Sequence, residues 1–294
     1  MKKIISVINK KGGCGKTVSI MALADGLAMR GERVLVVDLD SQMNMSFGYG
    51  DFDLADYSIY DVMTNRRFNI YDAIQPVPNK YYGTLSVPGK VDILPANSYV
   101  EALPDDLDKI PLKEERLLRA LQQLKSDDYD YILIDTAPDR LTDIIITNVL
   151  VASDEVLIPT KLESFNLRGI ALLQSRIEYL IEQLDVDLKV NGVLVTQVNG
   201  SRKDFNDKQM ELLLDFAKEK GIYVYESRIR NLADVPKKND TKNCIYIPKE
   251  YERKTVKKDG QEVIRRFKHQ TEIAKDYNSF IEEFLKLERG NENE

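Results

Sequence analysis

Apolar residues in this chain gather in short, nearly unbroken runs, and between the runs they recur at helical spacing. The runs cover residues 4–8, 34–37, 91–95, 131–134, 155–158, 192–198 and 222–224. Each predicts a strand buried on both faces, because a half-exposed strand would alternate apolar with polar residues. Residues 16–29 place Ile20, Leu23, Ala24, Leu27 and Ala28 on one helical stripe, and Gly31 ends that helix. Residues 59–63, 114–124 and 172–184 repeat the helical period. Strands alternating with helices predict an α/β fold, a mostly parallel, doubly wound sheet with helices on both faces. Ligands of such sheets sit beyond the carboxyl ends of the strands.

Two segments stand outside this alternation. Residues 51–90 carry one short helical pattern and a polar, proline-bearing stretch. Residues 249–268 read as a β-hairpin, because Asp259-Gly260 is a two-residue turn signal between Thr255-Val256 and Val263-Ile264. Its strands carry Lys254, Lys257, Lys258, Arg265 and Arg266. The expected organisation is one domain over 1–288 with these two elaborations, and a disordered tail over 289–294.

Composition narrows the function. Of 294 residues, 43% are hydrophobic and 31% charged, the balance of a globular chain. No apolar run approaches the ~20 residues of a membrane span. The start, Met1-Lys2-Lys3-Ile4, has a basic and then apolar opening, but the apolar stretch is too short for a signal peptide. Two cysteines and the single His269 exclude a disulfide framework, an iron–sulfur centre and histidine-based catalysis or zinc binding, and fit a reducing cytoplasm. The net charge of −6 is uneven: residues 237–268 hold 11 Lys and Arg against 5 Asp and Glu, a net of +6 that leaves −12 elsewhere. That excess reads as an anion-binding face or, equally, as a solvated basic insertion.

The chemistry begins at Lys11-Gly12-Gly13-Cys14-Gly15-Lys16-Thr17, between the first strand and the first helix. Strand, glycine-rich loop and helix make a phosphate-binding loop. Its glycines let backbone N–H groups converge on phosphate oxygens, and the helix N-terminus adds partial positive charge. Residues 11–18, through Val18, form the expected nucleotide cradle. Lys16 can reach the β/γ-phosphates, and the Thr17 hydroxyl can ligate Mg²⁺. Cys14 fills a free slot, where a thiol near a helix N-terminus can become acidic. The second strand ends in Asp38-Leu39-Asp40, and the fourth in Asp135. Aspartates at strand ends often cap helices. Beside a phosphate loop they instead suit metal binding and water positioning.

The loop lacks the usual first glycine, for Lys10 stands in that place and Lys11 follows. It thus resembles the deviant Walker A motif of the ParA/MinD family of ATPases. Asp38-Leu39-Asp40-Ser41-Gln42-Met43-Asn44 resembles the family's D-x-D-P-Q-x-N segment, with Ser41 for proline. Residues 152–159 resemble its A-A-D-x-V-L-I-P strand, and Glu163 with Leu167 and Gly169 its E-x-x-x-L-x-G pattern. Residues 227–236 resemble its P-R-x-x-x-L-A-E-A-P loop. At the Walker B strand, Ala137 replaces a proline and Asp139 a common serine. The resemblance covers about residues 1–236 and the final helix; the basic hairpin lies outside it.

The resemblance implies a deviant P-loop NTPase that uses ATP and Mg²⁺. Lys11 would reach the partner's nucleotide across a homodimer. Asp40 would position the attacking water, Asp38 would support the loop or the metal's outer shell, and Asp135 would be the Walker B carboxylate. Thr17, Asp40 and Asp135 are then the magnesium-site residues, and Asn199 and Pro236 lie near the adenine. The ParA branch implies an ATP-sandwiched dimer on non-specific DNA, released when a centromere-binding ParB-type protein stimulates hydrolysis. Such a protein is cytoplasmic and nucleoid-associated, and moves plasmid or chromosome cargo. Arg202, Lys203, Arg228 and Arg230 are its candidate DNA contacts, each of which also reads as an ordinary solvated or ion-paired residue. Only a strand's length precedes the loop, so no N-terminal operator-reading domain is expected.

The alternative MinD branch anchors to membranes through a basic terminal helix. Here the last helix gathers Tyr277, Phe280, Ile281, Phe284 and Leu285 beside Glu282, Glu283 and Glu288, the wrong charge for an anionic bilayer. It is expected to pack on its own domain. A second alternative, a metabolic enzyme such as an amide-forming ligase, would need a substrate pocket for which the sequence holds no motif.

Overall fold

In the computed structural model, the structure describes residues 2–138, 143–163, 166–231, 243–247, 249–256 and 262–291. The elements in chain order are β1 (Lys3–Val7), α1 (Lys16–Ala28), β2 (Arg33–Leu39), α2 (Asn44–Gly50), α3 (Ile59–Thr64), β3 (Gln75–Pro76), α4 (Asn79–Tyr82) and β4 (Lys90–Leu94). They continue with α5 (Leu103–Leu107), α6 (Arg116–Leu121), β5 (Tyr131–Thr136), α7 (Ile144–Ala152), β6 (Glu155–Thr160) and α8 (Asn166–Leu184). The chain then forms β7 (Lys189–Val198), α9 (Lys203–Lys220), β8 (Val224–Arg230), β9 (Lys249–Val256), β10 (Glu262–His269) and α10 (Glu272–Asn291).

Eight strands form one sheet in the order β3-β4-β2-β5-β1-β6-β7-β8, and β9 with β10 make a separate two-stranded sheet. Every neighbouring pair in the large sheet is parallel except β3 with β4. The apolar runs split their side chains between two cores, as the period of two requires. Ile4, Leu35, Val37, Ile132 and Ile134 meet Leu117, Val149, Ile177 and Leu213 on one face. Ile5, Val7, Val34, Val36 and Leu133 meet Leu23, Leu27, Phe280 and Phe284 on the other. The crossovers leave β1 on opposite sides of the sheet, toward β2 first and toward β6 later. The loops after β1, β2 and β5 therefore converge at one switch point.

The structure departs from the sequence reading in places. The strand expected at 222–224 instead spans Val224–Arg230, so residues 227–230 are strand rather than loop. The reason is tertiary. Glu283 of α10 accepts from the backbone N–H of Glu226 at 2.7 Å and Ser227 at 2.9 Å, and Asp276 accepts from that of Arg230 at 3.0 Å. These carboxylates satisfy donors on the edge strand that no further strand takes. Helix α10 runs to Asn291, so the expected tail is helical at its start, and 292–294 lie outside the described residues. The 114–124 pattern resolves into a 3₁₀ turn over Lys113–Glu115 followed by α6. The hairpin strands pair antiparallel from Lys249↔His269 to Val256↔Glu262, while the Asp259-Gly260 turn lies outside the described residues.

Tyr277, Phe280, Ile281 and Phe284 of α10 are buried on its own sheet, as expected. No helix among the described residues is long and apolar enough to cross a membrane.

Candidate nucleotide site

The phosphate loop is shaped by its glycines. Gly13 (φ +69°) and Gly15 (φ +85°) adopt left-handed conformations that a side chain would strain. Gly15 is also the N-cap of α1, which has no side-chain cap and no acid in its first turn. The first N–H groups of α1 thus face the loop without a competing carboxylate.

Neighbouring strands brace the loop. Asn9 donates to Pro159 O at 2.7 Å and accepts from Lys11 N at 2.9 Å. Thr196 Oγ1 donates to Cys14 O at 2.7 Å, and Gln197 Nε2 donates to Gly13 O at 2.7 Å. Gln197 itself adopts a left-handed backbone (φ +53°) to make that contact. The sequence reading missed Asn9, Thr196 and Gln197. Their signal was position: polar residues at or just past the carboxyl ends of apolar strands. Cys14 is buried, and burial pushes its thiol pKa up, so it is not an acidic thiol.

Lys16 is buried, with Nζ 3.3 Å from Asn9 O. Lys11 sits at the exposed mouth, where its ammonium pairs with Glu163 beyond β6. Gly12 packs near Pro138, the proline that follows the β5 aspartate by three residues.

The carboxylates meet across strands. Asp38 on β2 and Val7 on β1 both stand in register with Asp135 on β5. Asp135 is fully buried; Oδ1 accepts from Thr136 N at 3.0 Å, the Thr17 hydroxyl donates to the same carboxylate, and Oδ2 has no partner. Burial, and then the facing Asp38, push its pKa up. Burial also raises Asp38, against the opposing hydrogen bonds from Ser46 Oγ (2.7 Å), Ser46 N (2.9 Å) and Asp40 N (3.1 Å). Those bonds make Asp38 the support that starts α2.

An orphaned buried carboxylate oxygen, an adjacent hydroxyl and a second repelled acid fit a divalent cation. Among the described residues no group of three or more His, Cys, Asp or Glu gathers as a stand-alone metal centre. Mg²⁺ takes one or two carboxylates and completes its shell with water and phosphate.

Asp40 is buried and lines a cavity of about 430 Å³ with Gly13, Gly15, Lys16 and Thr17. Its Oδ1 accepts from Gln42 N at 2.9 Å, which aims the carboxyl along the cavity wall. Val18, Met21 and Phe47 give that cavity an apolar side.

The remaining predicted residues divide. Asn199 is exposed, and its Oδ1 accepts from Ser201 N at 3.0 Å and Ser201 Oγ at 2.8 Å, so it shapes the turn into α9. Pro236 lies outside the described residues. Arg202 and Lys203, at the start of α9, and Arg228 on β8 are exposed toward the same end of the sheet as the loop. Arg230, the fourth candidate, is ion-paired: its guanidinium donates to both oxygens of Asp276 at 2.8 Å and pairs with Glu272 at 3.2 Å, which ties α10 to β8.

A family profile described as an AAA domain matches residues 2–190. The chain is 32% identical over 235 residues to the chromosome partitioning protein ParA of Myxococcus xanthus, spanning 80% of this chain and 78% of that protein. The crystal structure of cobyrinic acid a,c-diamide synthase from Mycobacterium smegmatis with bound ATP analogue and magnesium is similar at a TM-score of 0.68 and 27% identity, over 79% of this chain and 88% of that one. That of a putative plasmid partition protein from Borrelia burgdorferi bound to AMPPNP is similar over 97% of this chain and 99% of that one, at a TM-score of 0.68 and 23% identity, a likeness of fold alone. The phosphate loop with its displaced lysine, the three strand-end aspartates and a ParA relative matching four-fifths of the chain place this protein in the ParA family of P-loop ATPases.

Proposed function

We propose that this protein is a ParA-type partition ATPase that binds Mg-ATP, dimerises around it and holds duplex DNA without sequence preference. A ParB-type centromere-binding partner then stimulates hydrolysis and frees the dimer, which moves plasmid or chromosome cargo over the nucleoid in the cytoplasm. The observation that carries this reading is Lys11. It stands exposed at the mouth of a complete phosphate site that Lys16 already serves from inside. A second lysine on the rim is superfluous for one nucleotide in one chain, but it suits the phosphates of a facing copy.

The other residues take roles that their places support. The loop N–H groups and Lys16 hold the β- and γ-phosphates. Thr17 and Asp135 hold Mg²⁺, which offsets phosphate charge when bound. Asp40 borders the cavity and orients water toward the γ-phosphate. Arg202, Lys203 and Arg228 supply phosphate contacts to DNA, doubled by dimerisation. The diamide synthase, crystallised with an ATP analogue and magnesium, supports the ligand pair.

That same likeness favours a second reading, an ATP-dependent amide-forming enzyme. One experiment separates the two. Binding to random duplex DNA is measured with AMPPNP, with ADP and without nucleotide, against liposomes of anionic lipid. Binding to DNA with AMPPNP alone supports partition. Binding to liposomes supports a MinD-type cycle. Binding to neither, together with glutamine-dependent ATP turnover, supports the amide-forming enzyme. Deleting residues 253–267 decides the hairpin's share: unchanged affinity and salt slope would remove it from the DNA surface.

A further inference from the structure

Asp25 lies on α1, the helix whose first turn holds Lys16 and Thr17, and it is fully buried. Its carboxyl collects four donors. The hydroxyls of Tyr49 and Tyr82 reach Oδ1 at 3.2 Å each, that of Tyr81 reaches Oδ2 at 2.9 Å, and the Cys244 thiol donates as well. A buried aspartate inside a helix, with no cation among the described residues paired to it, is a costly choice for packing alone.

The donors come from particular places. Tyr81 and Tyr82 belong to α4, inside the 51–90 elaboration. Cys244 belongs to the segment that leads five residues later into the hairpin at Lys249. Cys244 N also donates to Tyr81 O at 3.0 Å, and Tyr246 Oη donates to Ala22 O of α1 at 2.9 Å. The 51–90 elaboration and the stem that precedes the hairpin thus close on one carboxyl of the phosphate-loop helix.

The same helix face leads back to the nucleotide cavity. Val18 and Met21 line that cavity, and both also line a small cavity of about 50 Å³ whose other walls include Asp25, Tyr81 and Asn243. Positions 18, 21, 22 and 25 fall on one stripe at helical spacing. A nucleotide pressing on Val18 and Met21 therefore acts one turn from the carboxyl that anchors the hairpin's stem.

We propose that Asp25 is a positioning residue that couples nucleotide binding to the anchoring of the hairpin stem, residues 243–247, on α1. This rests on the nucleotide reading above, and the two can fail separately. In the ATP-bound chain the four donors close on Asp25 and fix the stem. Without nucleotide the stem opens more often. The basic hairpin is then presented in a nucleotide-dependent pose.

The test is hydrogen exchange of the full chain with and without Mg-AMPPNP, with nucleotide affinity measured separately by calorimetry. In the parent, exchange over 243–247 and 249–256 should slow about tenfold on binding, an ordinary size for coupling between sites. In Asp25→Asn that ratio should fall toward one, and reciprocity limits the loss of nucleotide affinity to the same factor. A merely structural Asp25 would raise exchange equally in both states and keep the ratio, which overturns the proposal. A parent that binds AMPPNP without any change at 243–256 also overturns it and leaves the nucleotide reading standing. A parent that binds no nucleotide overturns both. Tyr81→Phe keeps the packing and removes one donor, so it should give an intermediate ratio even where Asp25→Asn folds poorly; a parental ratio there counts against the coupling.

Discussion

Asp38 and Asp135 stand in register on adjacent parallel strands, both fully buried, and only Asp38 has its two oxygens satisfied. In that low-dielectric space each acid disfavours the other's charge, and the Lys16 ammonium opposes this at Asp135. Asp135→Asn removes the repulsion and, on the proposed reading, the metal's carboxylate together. Its melting temperature without nucleotide should rise, since relief of an unpaired buried charge is worth about 1–3 kcal/mol. The extra stabilisation that Mg²⁺ adds to ATP should vanish. Differential scanning fluorimetry with ATP, with Mg-ATP and with EDTA reads both effects, and a retained magnesium increment would remove Asp135 from the metal site.

Three substitutions around the loop should separate. Lys16→Ala loses the buried ammonium that lines the loop's cavity and should abolish ATP binding. Lys11→Ala should bind ATP but stay monomeric by light scattering, because its exposed pair with Glu163 contributes little to the fold. Asp40→Ala should bind ATP and dimerise, yet hydrolyse it at least about a hundredfold more slowly, the usual worth of a positioned acid–base group. Calorimetry, light scattering and phosphate release distinguish the three. Parental turnover in Asp40→Ala would sink that assignment.

Arg228 and Arg230 lie two residues apart on β8 and should behave oppositely. Arg228→Ala should weaken binding to all DNA sequences alike and lower the log–log salt slope by about 1. Arg230→Ala should leave that slope alone. It strands the buried Asp276 carboxylate and should cost about 1–3 kcal/mol of stability. Fluorescence anisotropy across a salt series and urea unfolding test the pair. A salt slope that moves with Arg230 rather than Arg228 would reverse the assignment.

Asp25 makes stability depend on pH. Burial pushes its pKa up to about 7, from an ordinary 3.8, even against its four donors. The groups facing it are Tyr49, Tyr81, Tyr82, Tyr246 and Cys244, all pushed upward and neutral through this range. Between the two values the folded chain holds a proton that the unfolded chain has released. Stability contributed by this group therefore falls as pH rises through that window and levels off above about 7. Asp25→Asn lacks the effect. Its stability relative to the parent should improve by about 2 kcal/mol from pH 5.5 to pH 8, at ~1.4 kcal/mol per pH unit up to the midpoint. Urea unfolding at the two pH values measures this. A constant difference would show that Asp25 does not titrate in the fold.

The chain's own pattern determined the sheet, the loop and the aspartates at the strand ends, because these are local properties. Unbroken apolar runs must be buried on both faces, and a glycine-rich turn between strand and helix must expose its N–H groups. It could not determine which charges remain free. Arg228 and Arg230 look alike in sequence, and only α10, brought back from forty-six residues away, commits Arg230 to Asp276. The same helix decided where β8 ends, by supplying Glu283 and Asp276 as acceptors for an edge strand. Asn9 past β1 and Thr196 and Gln197 on β7 brace the loop from two strand ends, a convergence that strand order creates and adjacency in sequence does not. Asp25 reads as one polar residue in a helix until tertiary packing surrounds it with three tyrosines and a cysteine, since a buried charge's partners are chosen by long-range packing.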